Sequence, residues 1–128
     1  MRKELQDKLF EKYPLIFVEK DLDMSVTCMC WGIDTGDGWY DLLDNLCGSL
    51  QWWTDKNGHP QVIATQVKEK FGGLRFYFRD CSDFQDGMIS FAQHMSSTIC
   101  EKCGNPGKRE NRNGWISVMC PECEKKLT

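Results

Sequence analysis

Four cysteines carry the clearest chemical information in this chain of 128 residues. They fall as Cys100-Glu-Lys-Cys103, sixteen intervening residues, and Cys120-Pro-Glu-Cys123, the C-x2-C-x16-C-x2-C spacing of a zinc site. Two residues between paired cysteines let one tight turn aim both sulfurs at the same ion, and two such pairs complete the tetrahedral thiolate shell that Zn2+ accepts. Gly104 suits the turn after the first pair. No glycine follows the second pair, and Glu124-Lys125-Lys126-Leu127 continues with good helix formers, which favours a treble clef over a two-knuckle ribbon. A shell of four thiolates leaves no position for water or substrate, so the expected role is structural. The spacings match neither ferredoxin pattern.

A second candidate site lies on a hairpin. Residues 61–71 and 74–79 read as two strands joined by Gly72-Gly73, a pair that accepts the positive φ angles of a tight turn. With Phe71 opposite Leu74, the period of two sets Glu69 against Phe76 and Val67 against Phe78 on an apolar face. The other face then pairs Lys70 with Arg75 and Lys68 with Tyr77, and it is basic. Lys68, Lys70, Arg75, Tyr77 and Arg79 are therefore the expected binding surface, with Tyr77 placed to stack and the cations placed to meet acidic groups. The competing explanation for these charges is pairing with the protein's own acids, such as the run from Glu19 to Asp23.

Weaker patterns point elsewhere. Asp55 with Gln66-Val67-Lys68 has the form of a degenerate magnesium-nuclease set. Cys28 and Cys30, separated by one residue, are too constrained for a zinc knuckle, and with Cys47 and Cys81 they read as buried free thiols. His59 and His94 read as surface residues.

The elements that must position these groups follow from periodicity. Residues 2–13 form a short amphipathic helix stopped by Pro14, and 25–33 have the composition of a strand. Trp39, Leu42, Leu43, Leu46, Leu50 and Trp53 mark a helix over 39–54 that ends at Asn57-Gly58-His59-Pro60. Ser82 and Gln85 have the form of a capping box opening a helix over 83–97. In the tail, 108–111 and 115–119 suit a hairpin turning at Arg112-Asn113-Gly114. The expected fold is α+β: an antiparallel hairpin or small sheet packed on amphipathic helices over residues 1–97, followed by the zinc module over 98–128.

Composition narrows the function. The net charge is −3, with 15 acidic and 10 basic side chains over 1–97 and 4 against 6 over 98–128. An acidic body argues against a surface that grips nucleic acid everywhere, while leaving room for a local basic face. No apolar run approaches the ~18 residues of a membrane span, and Met1-Arg2-Lys3-Glu4 does not open a signal peptide, so a cytoplasmic protein is expected.

The string Gln66-Val67-Lys68-Glu69-Lys70-Phe71-Gly72-Gly73-Leu74-Arg75-Phe76-Tyr77, followed by Cys100-x2-Cys103-Gly104, Gly107, Gly114-Trp115-Ile116 and the Cys120 pair, resembles a family of small proteins of phages, prophages and scattered bacteria. That family has no assigned activity. The likeness spans about residues 35 to 123 and leaves the segment before Thr35 outside it. It implies work inside a bacterial host cell during phage growth. Together these features favour a non-enzymatic, zinc-stabilised protein that binds a bacterial or phage macromolecule, a protein partner such as a host factor first. The alternatives are a nucleic-acid-binding accessory protein using the basic hairpin face and a magnesium-dependent nuclease.

Overall fold

The computed structural model describes residues 1–127 and is α+β, with a three-stranded sheet packed on helices and a separate two-stranded sheet beside the four cysteines. Helix α1 (Lys3–Lys12) buries Leu9 and stops before Pro14, whose ring and missing N–H bar a further turn. Helix α2 (Tyr40–Asn57) buries Leu43, Leu46, Cys47 and Leu50 along one stripe. It ends at Gly58, whose φ of 68° is the left-handed cap that the Asn57-Gly58 signal announces. Helix α3 (Asp83–Met95) opens with the expected capping box: Gln85 N–H donates to Ser82 Oγ, and Ser82 N–H donates to Gln85 Oε1.

The core gathers where α2 and α3 meet the sheet, around Phe17, Trp39, Leu43, Leu50, Leu74, Phe76 and Ile89. Each such side chain contributes about 1.5 to 3 kcal/mol on leaving water. Gln85 is buried among them without an unmet polar atom, because its Nε2 donates to Thr54 Oγ1 and to the Pro60 carbonyl, both at 3.1 Å.

The sheet runs β1 (Ile33–Asp34), β2 (Ile63–Lys70), β3 (Gly73–Arg79), with β1 parallel to β2 and β2 antiparallel to β3. Two expectations need correction here. Residues 25–33 are not a strand: the segment makes a 3-10 turn at Met29–Trp31 and joins the sheet only at Ile33–Asp34. Nor does the hairpin reverse at Gly72-Gly73. The loop is Phe71-Gly72, with φ of 52° and 76°, and Lys70 pairs with Gly73. Glu69 therefore faces Leu74, Val67 faces Phe76, Lys68 faces Arg75 and Gln66 faces Tyr77. Every partner slides by two residues, which preserves the faces because side chains alternate with that period. Glu69 helps fix this register, since its Oε2 accepts the Gly72 N–H at 2.7 Å inside the turn. Val67, Leu74 and Phe76 are buried on the inner face.

Helix α3 runs into a 3-10 turn at Ser96–Thr98, so the expected boundary between residues 97 and 98 falls inside one continuous turn. Beyond it, β4 (Lys108–Arg112) and β5 (Trp115–Met119) form a hairpin closed by Asn113-Gly114, and α4 (Pro121–Lys125) follows. Thr128 lies outside the described residues. No helix is long and apolar enough to cross a membrane among the described residues.

Candidate metal centre and the basic hairpin face

The local chain builds the first half of the centre as a turn: Gly104 N–H donates to the Cys100 carbonyl at 2.9 Å, and Gly104 takes a φ of 85° that a side chain resists. The second half is a helix start. Cys120 caps α4, its Sγ accepting the Cys123 N–H at 3.4 Å, and Pro121 sits at the first helical position, where its missing N–H costs nothing. The hairpin β4–β5 spans the two halves. As a result the sulfurs of Cys100, Cys103, Cys120 and Cys123 all lie within 4.8 Å of one another, with Cys103 and Cys120 at 3.5 Å. A tetrahedral ion with bonds of about 2.3 Å would set its sulfurs about 3.8 Å apart, so the residues fit a metal.

Three of the four sulfurs belong to buried residues and Cys103 is exposed. Burial alone would raise the Cys100 thiol, but the amides of Cys120, Cys103 and Lys102 directed at its sulfur outweigh that effect and bring its pKa down to about 6. Cys123 moves the other way: hydrogen bonding with Cys120 and Cys103 pushes it up to about 12. The cluster thus holds protons that a bound cation must displace, and affinity for a metal falls as pH falls.

The centre is keyed to the body by two glycines, Gly36 and Gly38, that precede the first long apolar helix. A Cβ on Gly36 would meet the Glu101 carbonyl oxygen, and one on Gly38 would meet the Cys100 carbonyl oxygen and the Gly104 nitrogen. This close approach lets Gly38 N–H donate to the Glu101 carbonyl at 2.7 Å and Gly36 N–H donate to Glu101 Oε2 at 2.8 Å. Next to them Trp39, fully buried, donates its Nε1–H to the Ile99 carbonyl at 2.9 Å. The available signal was the pattern Gly36-Asp37-Gly38 just before an apolar helix, but its partner lies more than sixty residues away.

On the hairpin, Lys68, Lys70, Arg75 and Tyr77 share the outer face of the sheet. Arg79 does not join them as a free cation. Its Nε donates to Glu19 Oε2 at 2.7 Å and its Nη2 to the Val26 carbonyl at 3.2 Å. That guanidinium holds the nearly buried Glu19 carboxyl below the usual range. Pairing with the acidic 19–23 run therefore accounts for Arg79. Lys68, Lys70 and Arg75 have no ion pair among the described residues. Arg109, which sequence reasoning passed over, joins them from β4, donating its Nε–H to the Phe71 carbonyl at 3.0 Å. Arg112, expected in the turn, is instead the last residue of β4, opposite Trp115, and is spent inside the module on Glu124 Oε1 and the Ser117 carbonyl.

The remaining candidates scatter. Among the described residues, the four cysteines are the only group of three or more close metal-ligating side chains. Asp55 accordingly has no companion ligands, and it accepts a hydrogen bond from Gln51. Of the other thiols only Cys47 is buried; Cys28 is exposed and Cys30 half-buried because a turn replaces the expected strand, and Cys81 is half-buried in the connection between β3 and α3. His94 is exposed. His59 is half-buried, its ring against Trp53 and Phe84 and its Nδ1 2.6 Å from Ser82 Oγ. No family model, curated protein or solved structure matches this chain.

Proposed function

We propose that this chain is a zinc-stabilised, non-enzymatic interaction protein that binds an anionic macromolecule of a bacterial or phage system through the outer face of β2–β3. The order knuckle, hairpin, helix start is that of a treble clef, and four thiolates suit zinc held for structure. The family likeness supports a bacterial cytoplasmic setting. The observation that carries the reading is the division of charge on the hairpin. Arg79 is consumed by Glu19, while Lys68, Lys70 and Arg75 stand without a carboxylate partner on the face that also carries the exposed ring of Tyr77. In a chain with more acids than bases, cations left unpaired on one face are what an acidic partner would meet.

Binding to a panel of anionic polymers tests this. Association that weakens steeply with salt, and that is lost in the double variant Lys68→Glu, Arg75→Glu with folding intact, is the expected result. Absence of binding to any anionic polymer at low salt overturns it.

A further inference from the structure

We propose that the cleft between the tips of the two hairpins is a single-stranded nucleic-acid site, in which Phe71 and Trp115 stack on unpaired bases while Lys70, Arg75 and Arg109 hold phosphates. This rests on the reading of the basic face given above and names the class of its partner.

The first observation is conformational. Two two-residue turns lie side by side, and both have positive φ at both central positions, the signature of type I′. The β4–β5 turn uses Asn113-Gly114, at 55° and 89°, which is the pair this geometry prefers. The β2–β3 turn uses Phe71-Gly72, at 52° and 76°. A bulky aromatic side chain is an outlier in that region. Burial does not compensate it, because Phe71 is 62% exposed. The backbone beneath the ring is nevertheless fixed: Arg109 binds the Phe71 carbonyl, Glu69 binds the Gly72 N–H, and Gly72 is buried against Arg109 and Ile116. A strained residue presented outward on a rigid turn points to a contact outside the chain.

The second observation is the cleft. It has a volume of about 360 Å³, and Phe71, Trp115, Ile116 and Asn111 are among the residues that line it. Trp115 is 79% exposed, the most exposed of the large apolar side chains. The third is charge. Lys70 Nζ lies 5.7 Å from the Phe71 ring centre. Phe71 also borders a second, polar cleft of about 330 Å³ that brings together Arg75, Arg109, His94 and Ser97. Glu69, the carboxylate that also borders the first cleft, is turned into the Gly72 amide. Aromatic faces beside cations that track a backbone are how single strands are held without reading sequence. A duplex hides its base faces, and an acidic peptide would use the cations but has no need of two outward rings.

The test uses the full zinc-loaded chain with labelled oligonucleotides of about 12 thymidines or uridines, a duplex of the same length, and poly-glutamate. The variants are Phe71→Gly and Trp115→Ser. Glycine accepts the left-handed backbone, so Phe71→Gly removes the ring and leaves the turn at least as stable. We expect the single strand to bind at least tenfold more tightly than the duplex and to quench tryptophan emission, and each variant to weaken it by about tenfold or more. Equal binding of strand and duplex, unchanged by Phe71→Gly, overturns the cleft assignment and leaves the polyanion reading standing. Preference for poly-glutamate overturns the nucleic-acid assignment in favour of an acidic protein partner. Binding of none of these polymers overturns both readings.

Discussion

Gly38 shows how a single position ties the two halves of the molecule together. A Cβ there would lie 2.1 Å from the Cys100 carbonyl oxygen and 2.6 Å from the Gly104 nitrogen, both of them backbone atoms that cannot swing aside. Gly38→Ala must therefore push the Thr35–Gly38 turn off the first cysteine pair. The expected cost is about 2 to 4 kcal/mol, read as a lowered thermal midpoint and faster loss of metal to a chelator. Gly87 makes the natural control. It lies within α3, and outside its own helix nothing stands within 4 Å of where an alanine would place its Cβ, so Gly87→Ala should stabilise by about 0.5 to 1 kcal/mol. A thermal scan of the two variants that moved in the same direction would contradict the packing described for Gly38.

At the scale of elements, the position of α3 depends on its first turn. Ser82 Oγ accepts the Gln85 N–H at 3.1 Å and lies 2.6 Å from His59 Nδ1, so one hydroxyl serves both the helix cap and the chain that leaves α2. Ser82→Ala should destabilise by about 1 kcal/mol, the ordinary worth of a cap, and chemical denaturation read by circular dichroism measures it. The same helix covers the outer edge of β3, where Leu74 N–H donates to Ser96 Oγ and Phe76 N–H to Gln93 Oε1, each at 2.9 Å. A covered edge has no free ladder for another chain to extend. The open side of the hairpin is thus its basic face and its tip.

At the scale of the whole molecule, the four-cysteine centre is continuous with the body. Glu101 bonds to Gly36 and Gly38, Trp39 to Ile99, and Arg109 to the Phe71 carbonyl. A tail that folded by itself would leave residues 1–97 standing when its ion is stripped. The observed junction predicts otherwise. Elemental analysis should find about one zinc per chain, and chelation or Cys123→Ser should lower the melting of the entire protein and redden the emission of the buried Trp39. An unchanged melting transition of the body after metal removal would contradict this coupling.

What the amino-acid order settled without help was short in range. Cysteines paired across two intervening residues, apolar steps of three and four in α2, the Ser82 and Gln85 box and the Asn113-Gly114 turn each depend on residues within a turn or two of one another, and each stands where its pattern puts it. Tertiary structure decided the rest. The hairpin turned one residue before its glycine pair because Glu69 and the covered β3 edge favour that register, and alternation by two could not distinguish it from the expected one. Which cations are spent and which stand free was settled by segments brought together across sixty residues, as Glu19 meets Arg79. Local propensity carries no record of such distant neighbours, and only packing supplies them.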